Sequence, residues 1–192
     1  MPFMSGRQTY KDDSITIFHI DNPPYKVIVL GDAEVGKTSL VRTHTKAKFD
    51  SAYHTTVGVN IAKETLKANG KDIGLLIWDI AGQGQFYMLH KAYFQGASGI
   101  VFVFDLTRSA TLSNIKNIWW KQCTDYGVGS VPAVLVGNKS DLKTQIQVIK
   151  PAALNMAKTL GDIPYFETSA KTGDAVDVAF VKLCELMQAA YE

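Results

Sequence analysis

A chain of 192 residues with 20 Lys and Arg against 18 Asp and Glu has the length of one ordinary domain, able to bury most of its apolar surface. The formal charge of +2 is too small, and the lysines too scattered, to mark a nucleic-acid footprint or an acidic membrane surface, and no run approaches the roughly 18 apolar residues of a membrane span. Two cysteines, Cys123 and Cys184, make no disulfide framework and fit a reducing cytoplasm as core or surface thiols.

The first 24 residues read as an extension. Arg7, Lys11, Asp12 and Asp13 interrupt any apolar core of a signal peptide. Ile15, Ile17, Phe18 and Ile20 supply apolar character for an extra strand or a patch laid on the domain, and Pro23-Pro24 separates them from the rest of the chain. The domain is therefore expected over residues 25–192.

Tyr25 to Leu30 is an apolar run, and it delivers Gly31-Asp32-Ala33-Glu34-Val35-Gly36-Lys37-Thr38. Glycines there let the backbone fold over a phosphate chain with its N–H groups turned inward. Lys37 adds a point charge and Thr38 offers a hydroxyl to Mg²⁺. The helix opening near Gly36, expected over Lys37 to Ala47, presents free N–H groups and a positive dipole end to the same anion. Glu34 places a carboxylate near the phosphates, yet its side chain should point outward because the inner wall of such a loop is backbone.

A hairpin is signalled by Asn69-Gly70 between Val57 to Ala68 and Lys71 to Asp79, so one strand should run antiparallel. Its second strand ends in Trp78-Asp79-Ile80-Ala81-Gly82-Gln83. At that strand end a carboxylate at Asp79 can hold Mg²⁺ through water, since the ion gives up its hydration shell reluctantly. Gly82 lets a backbone N–H approach a terminal phosphate, and Gln83 can orient an attacking water. The weaker alternatives are a solvated strand end for Asp79 and an ordinary loop residue for Gln83.

Gly99 to Asp105 and Ala133 to Gly137 are further continuous apolar runs, as burial on both faces of a parallel sheet produces. The second delivers Asn138-Lys139-Ser140-Asp141. A carboxylate at Asp141 can accept hydrogen bonds from N1–H and the exocyclic amino group of guanine, whereas adenine has no matching donors and leaves the charge unpaired. Asn138 can bond to neighbouring loops and the base edge, and the Lys139 stem can lie along the ring. Helices are expected over Ala110 to Tyr126, Pro151 to Leu160 and Asp174 to Ala190. Pro151 near a start and Gly161 just past an end obey the usual asymmetry. Val176, Phe180, Leu183 and Met187 recur at helical spacing, a core stripe rather than a cofactor box. The strand-to-helix order implies an α/β domain with helices on both faces and a ligand at the C-terminal ends of the strands.

Five motifs thus stand in order: GDAEVGKT at 31–38, HTTVGV at 54–59, WDIAGQ at 78–83, GNKSD at 137–141 and TSAK at 168–171. On them the chain, over residues 25–190, resembles the Ras-like small GTPases and within them looks most like the Rab group. The resemblance implies a single P-loop GTPase domain, α/β, with a mostly parallel six-stranded sheet, one antiparallel strand and helices on both faces. It implies GTP or GDP bound with Mg²⁺, and Thr38, Thr56 and Asp79 as the metal set. Thr56 would reach Mg²⁺ and the γ-phosphate from switch I; Thr55 sits beside it, but the following Val57-Gly58 fixes the alignment. Phe49 would pack edge-on to guanine, with Tyr53 nearby, and Ser39 would follow Thr38 along the phosphate-binding stretch. Leu142, Ser169, Ala170 and Lys171 would line the base pocket, and Gln83, Lys37 and Thr56 would carry the chemistry. Implied partners are effector proteins in the GTP state, an exchange factor and a GTPase-activating protein, acting on a monomer.

The chain also departs from the pattern. Ala33 stands where Ras proper has glycine, so hydrolysis is expected to be slowed, and Gly84 follows Gln83 where the family usually has glutamate, which frees the backbone and removes a charge that regulators could engage. One function class is therefore a slow GTP-hydrolysing timer, and another is a GTP-dependent interaction module with negligible hydrolysis. A P-loop kinase is disfavoured, because its lid needs arginines and this chain has only Arg7, Arg42 and Arg108; neither Arg42 nor Arg108 is placed by sequence to reach the γ-phosphate. Tyr53, Val57, Phe86, Tyr87 and Met88 flank the switches as an effector face or as internal packing. The chain ends at Tyr191-Glu192 without a prenylation box, and Cys184 lies too deep in the last helix to serve. That leaves membrane association open between a trimmed tail and a protein that works without an anchor, in the cytoplasm or at a membrane periphery.

Overall fold

The computed structural model describes residues 23–46, 58–82 and 87–192, with residues 87–90 as backbone. At its centre lies β1 (Tyr25–Leu30). Val27 and Val29 face one side of the sheet, Ile28 and Leu30 the other, and all four are fully buried. Period-two alternation with both faces covered is what makes such a strand read as one apolar run. The hairpin strands are β2 (Val59–Ala68) and β3 (Lys71–Ile80), followed by β4 (Gly99–Asp105), β5 (Ala133–Asn138) and β6 (Tyr165–Glu167).

The sheet has six strands in the order β2-β3-β1-β4-β5-β6. The β2–β3 pair is antiparallel and the other four pairings are parallel. Asn69 at φ 50 and Gly70 at φ 77 close the hairpin with positive φ at both turn positions, the primed geometry that matches strand twist. Against one face pack α1 (Lys37–His44) and α6 (Val176–Tyr191), through Leu40, Val41, Phe180 and Leu183. Against the other pack α2 (Tyr87–Phe94), α3 (Ser109–Asn114), α4 (Lys121–Asp125) and α5 (Lys150–Thr159), through Phe94, Leu112, Cys123 and Ala153. The α6 stripe is core as expected: Val176, Phe180, Leu183 and Met187 are each at most 1% exposed. Cys123 and Cys184 are buried free thiols, both pushed up to about 12 by burial. No helix among the described residues is long and apolar enough to cross a membrane.

Several elements differ from their expected bounds. The first helix stops at His44 rather than continuing to Ala47, and Lys46 in the left-handed region at φ 54 marks the break. The single helix expected over Ala110 to Tyr126 is instead α3 and α4 joined by a π-helical turn, Ile115–Trp120. In an α-helix, residues five apart point roughly 140° away from each other. The wider π turn brings Asn114 and Trp119 to a single carboxylate, that of Asp32. β6, three residues long, is too short to carry a period of its own.

Candidate functional site

The loop 31–36 leaves β1 at the C-terminal edge of the sheet, and its glycines answer to close contacts. A Cβ on Gly31 would lie 2.0 Å from the Val103 carbonyl oxygen, and one on Gly36, at φ 97, would lie 2.3 Å from Asn138 Nδ2. The Asn138 contact is the hinge of the site. Asn138 is 2% exposed; its Nδ2 donates to Val35 O at 2.9 Å, while its Oδ1 accepts from Ala170 N at 3.1 Å and Thr168 Oγ1 at 3.3 Å. One side chain therefore ties the loop after β1 to the loops after β5 and β6. Gly36→Ala would break that tie and strain a left-handed backbone. From a cost of roughly 3 kcal/mol, about a hundredfold loss of GDP affinity is expected, to be read by titration with a fluorescent GDP analogue.

Beside Asn138, Asp141 Oδ1 accepts from Ser169 Oγ at 2.7 Å, and Ser169 Oγ accepts from Thr172 N at 3.1 Å. The carboxylate is thereby held beside the TSAK loop, with its other oxygen available to a base edge. Ala170 is buried, Leu142 is half-buried and Lys171 is exposed. Lys139 stands on a left-handed backbone at φ 70, and its Nζ meets Asp105 Oδ2 at 2.7 Å.

Inside the loop, Lys37 is 6% exposed, and its Nζ donates to Gly31 O at 2.7 Å and Asp32 O at 2.8 Å. Burial lowers its pKa to about 8, against the opposing pull of the Asp79 and Asp32 carboxylates. A buried ammonium whose bonded partners are carbonyls is a receptor for an anion, and no side chain among the described residues caps the start of α1 that opens beside it. Val35 is fully buried and Ser39 is half-buried.

Asp79 is fully buried at the edge of β3. Its Oδ2 accepts from Thr38 Oγ1 at 2.5 Å, and its Oδ1 has no hydrogen-bond partner among the described residues. Burial raises its pKa, with the Thr38 hydrogen bond, Lys37 and Arg42 opposing. A desolvated carboxylate with one unpaired oxygen beside a hydroxyl fits Mg²⁺, a hard cation that takes oxygen ligands and keeps several waters. Gly82 packs on the loop so closely that a Cβ would lie 2.5 Å from Ala33 N and from the Asp32 carbonyl carbon.

Two expected site residues turn outward. Glu34 is exposed on a left-handed backbone at φ 66, as the sequence led us to expect. The Asp32 carboxylate faces away from the loop's interior and accepts from Asn114 Nδ2 at 2.7 Å and Trp119 Nε1 at 2.9 Å, so only its backbone is available to a phosphate. Phe49, Tyr53, Thr56, Val57, Gln83, Gly84 and Phe86 lie outside the described residues. Sequence reasoning missed Asp105 and Arg108. Asp105 is fully buried. Burial would raise its carboxyl, but hydrogen bonds from Lys139 and from Thr107 outweigh it and hold the pKa below the ordinary value. Arg108 pairs with it through Nε at 3.0 Å and reaches half-buried Ala33 through Nη2, 2.9 Å from its carbonyl oxygen. An arginine three residues after a strand-ending aspartate was the available signal.

The family model of the Ras family matches residues 26–189. The chain is 39% identical over 163 residues to Ras-related protein SEC4 of Saccharomyces cerevisiae, which covers 85% of this chain and 74% of that protein. It is 38% identical over 159 residues to Ras-related protein Rab-13 of Canis lupus familiaris, covering 83% of this chain and 77% of that one. A third relative, Ras-related protein SEC4 of Candida albicans, is 36% identical over 163 residues, 85% of this chain and 77% of that protein. With loops that meet at one edge of a six-stranded sheet and a family match running nearly end to end, the chain belongs to the Ras family, as a Rab-like small GTPase that binds GTP and GDP with Mg²⁺ and hydrolyses GTP as a molecular switch.

Proposed function

We propose that residues 31–39 cradle the phosphates and that Asn138, Lys139, Asp141, Leu142, Ser169, Ala170 and Lys171 form the guanine pocket. The observation that carries this reading is Asn138, whose amide joins Val35 of the phosphate loop to Ala170 of the TSAK loop. A base linked to a phosphate chain would span the two. Lys37, now bonded to loop carbonyls, exchanges them for phosphate oxygens, and Asp141 reads the amino edge of guanine. Thr38, Thr56 and Asp79 would hold Mg²⁺, which when bound neutralises the phosphate charge. Gln83 orients the attacking water, and Thr56 and Gly82 bond the γ-phosphate, so that GTP and GDP leave the two switches in different states.

Rab-like GTPases in general work with effectors, exchange factors and activating proteins. For this chain we place the effector face around the switches. Ile61, 47% exposed on edge strand β2, follows switch I in the chain and is proposed to belong to that face. Residues 1–24 are proposed as an extension outside the GTPase domain, and the protein as a monomer peripheral to membranes. Competition against a fluorescent GDP analogue tests the base assignment. GTP and GDP should displace it at concentrations at least about 10³-fold below ATP, because a carboxylate left without the base donors it is set to meet discriminates that strongly. Displacement by ATP at the same concentration as GTP overturns it.

A further inference from the structure

Four carbonyl groups of the loop after β1 have side-chain donors. Lys37 Nζ serves Gly31 O and Asp32 O, Asn138 Nδ2 serves Val35 O, and Arg108 Nη2 serves Ala33 O at 2.9 Å. The first two donors belong to motifs already assigned to the nucleotide. Arg108 belongs to none, and its guanidinium forks, with Nε on Asp105 Oδ2 at 3.0 Å. Asp105 is a well-tied anchor: fully buried, it accepts from Thr107 N at 2.8 Å, Thr107 Oγ1 at 2.7 Å and Lys139 Nζ at 2.7 Å.

The peptide bond between Ala33 and Glu34 is planar, so its N–H points opposite to its carbonyl. Holding Ala33 O toward Arg108 therefore turns the Glu34 N–H away from Arg108, toward the side on which the proposed cradle would hold the phosphates. Glu34 stands at φ 66, a region that residues with a Cβ rarely adopt, so this peptide plane needs an external hold that a glycine would not. We propose that Arg108 is a positioning residue for phosphate recognition: anchored on Asp105, it fixes the Ala33–Glu34 peptide so that the Glu34 N–H faces the nucleotide phosphates. This deepens the reading of residues 31–39 as the phosphate cradle and rests on it. A lysine does not reproduce the fork, because all its donors sit on one nitrogen, whereas the guanidinium holds Nε and Nη2 apart in a fixed plane.

The test is GDP release from the full chain, followed with a fluorescent GDP analogue, together with the Glu34 amide resonance in the GDP-bound ¹⁵N-labelled protein. For Arg108→Ala we expect release about tenfold faster, the worth of one charge-assisted hydrogen bond lost from the cradle, with Mg²⁺ and with EDTA alike because the effect passes through the peptide rather than the metal site. The Glu34 amide should shift, and Arg108→Lys should release nearly as fast as Arg108→Ala although it restores the charge beside Asp105. Wild-type release and an unmoved Glu34 amide in Arg108→Ala would overturn the proposal, as would full restoration by Arg108→Lys, which would make Arg108 a counter-charge for Asp105 only. Failure of the wild-type protein to bind GDP at all would instead overturn the phosphate-cradle reading beneath it.

Discussion

Asp141→Asn should lower the affinity for GDP by about 10³-fold or more and raise that for xanthosine diphosphate. In the proposed pocket the carboxylate would accept from the two N–H groups on the amino edge of guanine, and its Oδ1 accepts from Ser169 Oγ at 2.7 Å. Ser169 is in turn held by the backbone N–H of Thr172, so the replaced side chain inherits a defined position. An asparagine there offers one acceptor and one donor. It leaves a guanine N–H without its charged partner, yet suits xanthine, which carries a carbonyl where guanine has its amino group. Competition titration of wild type and variant with both diphosphates reads the exchange of preference. Unchanged selectivity would remove Asp141 from the pocket.

The second large effect concerns hydrolysis. Intrinsic turnover should be slow, and Gln83→Leu should slow it further by about a hundredfold, the cost of a misplaced attacking water. Phosphoryl transfer depends on neutralising charge on the transferring group, and an arginine supplied in trans contributes about 10³ to 10⁵ in rate. Arg108 does not take that part, because its guanidinium is engaged by Ala33 O and Asp105. Ala33 adds a methyl group on the same loop, further reason for a slow basal rate. Single-turnover phosphate release from GTP-loaded protein measures all of this. A fast basal rate, or one indifferent to Gln83→Leu, would show that the chemistry runs differently here.

Local constraints are the ones legible in the sequence. β1, β4 and β5 are legible because burial on both faces forces runs such as Val27 to Leu30, and the β2–β3 turn because Asn69-Gly70 is the pair that tolerates positive φ twice. Gly31, Gly36 and Asn138 were legible as motif letters, and the contacts explain why: two places where a Cβ has no room, and one amide that joins three loops. Interactions set by distant partners were not legible. The Asp32 carboxylate turns away from the phosphates because Asn114 and Trp119, 82 and 87 residues along the chain, supply its donors. The π turn that brings them there leaves no trace in the period of the helix. Arg108 reaches Ala33 across 75 residues, and no spacing rule announces that. α2 and β6 escaped for want of length and of a clear apolar stripe.

The proposed switch, in which GTP and GDP hold this chain in different states, is tested most directly by hydrogen exchange compared between the GDP-bound and GTP-analogue-bound protein. Thr56 and Gly82 are the two groups proposed to bond the γ-phosphate, so the segments Phe49 to Gly58 and Gly82 to Lys91 should exchange more slowly with the GTP analogue than with GDP. β4 and β5, buried on both faces, should not change. Thr56→Ala should erase the difference in the first segment while leaving GDP bound. Exchange in both segments that is the same with either nucleotide would contradict the account, because a ligand pair with no differential contact cannot throw a switch.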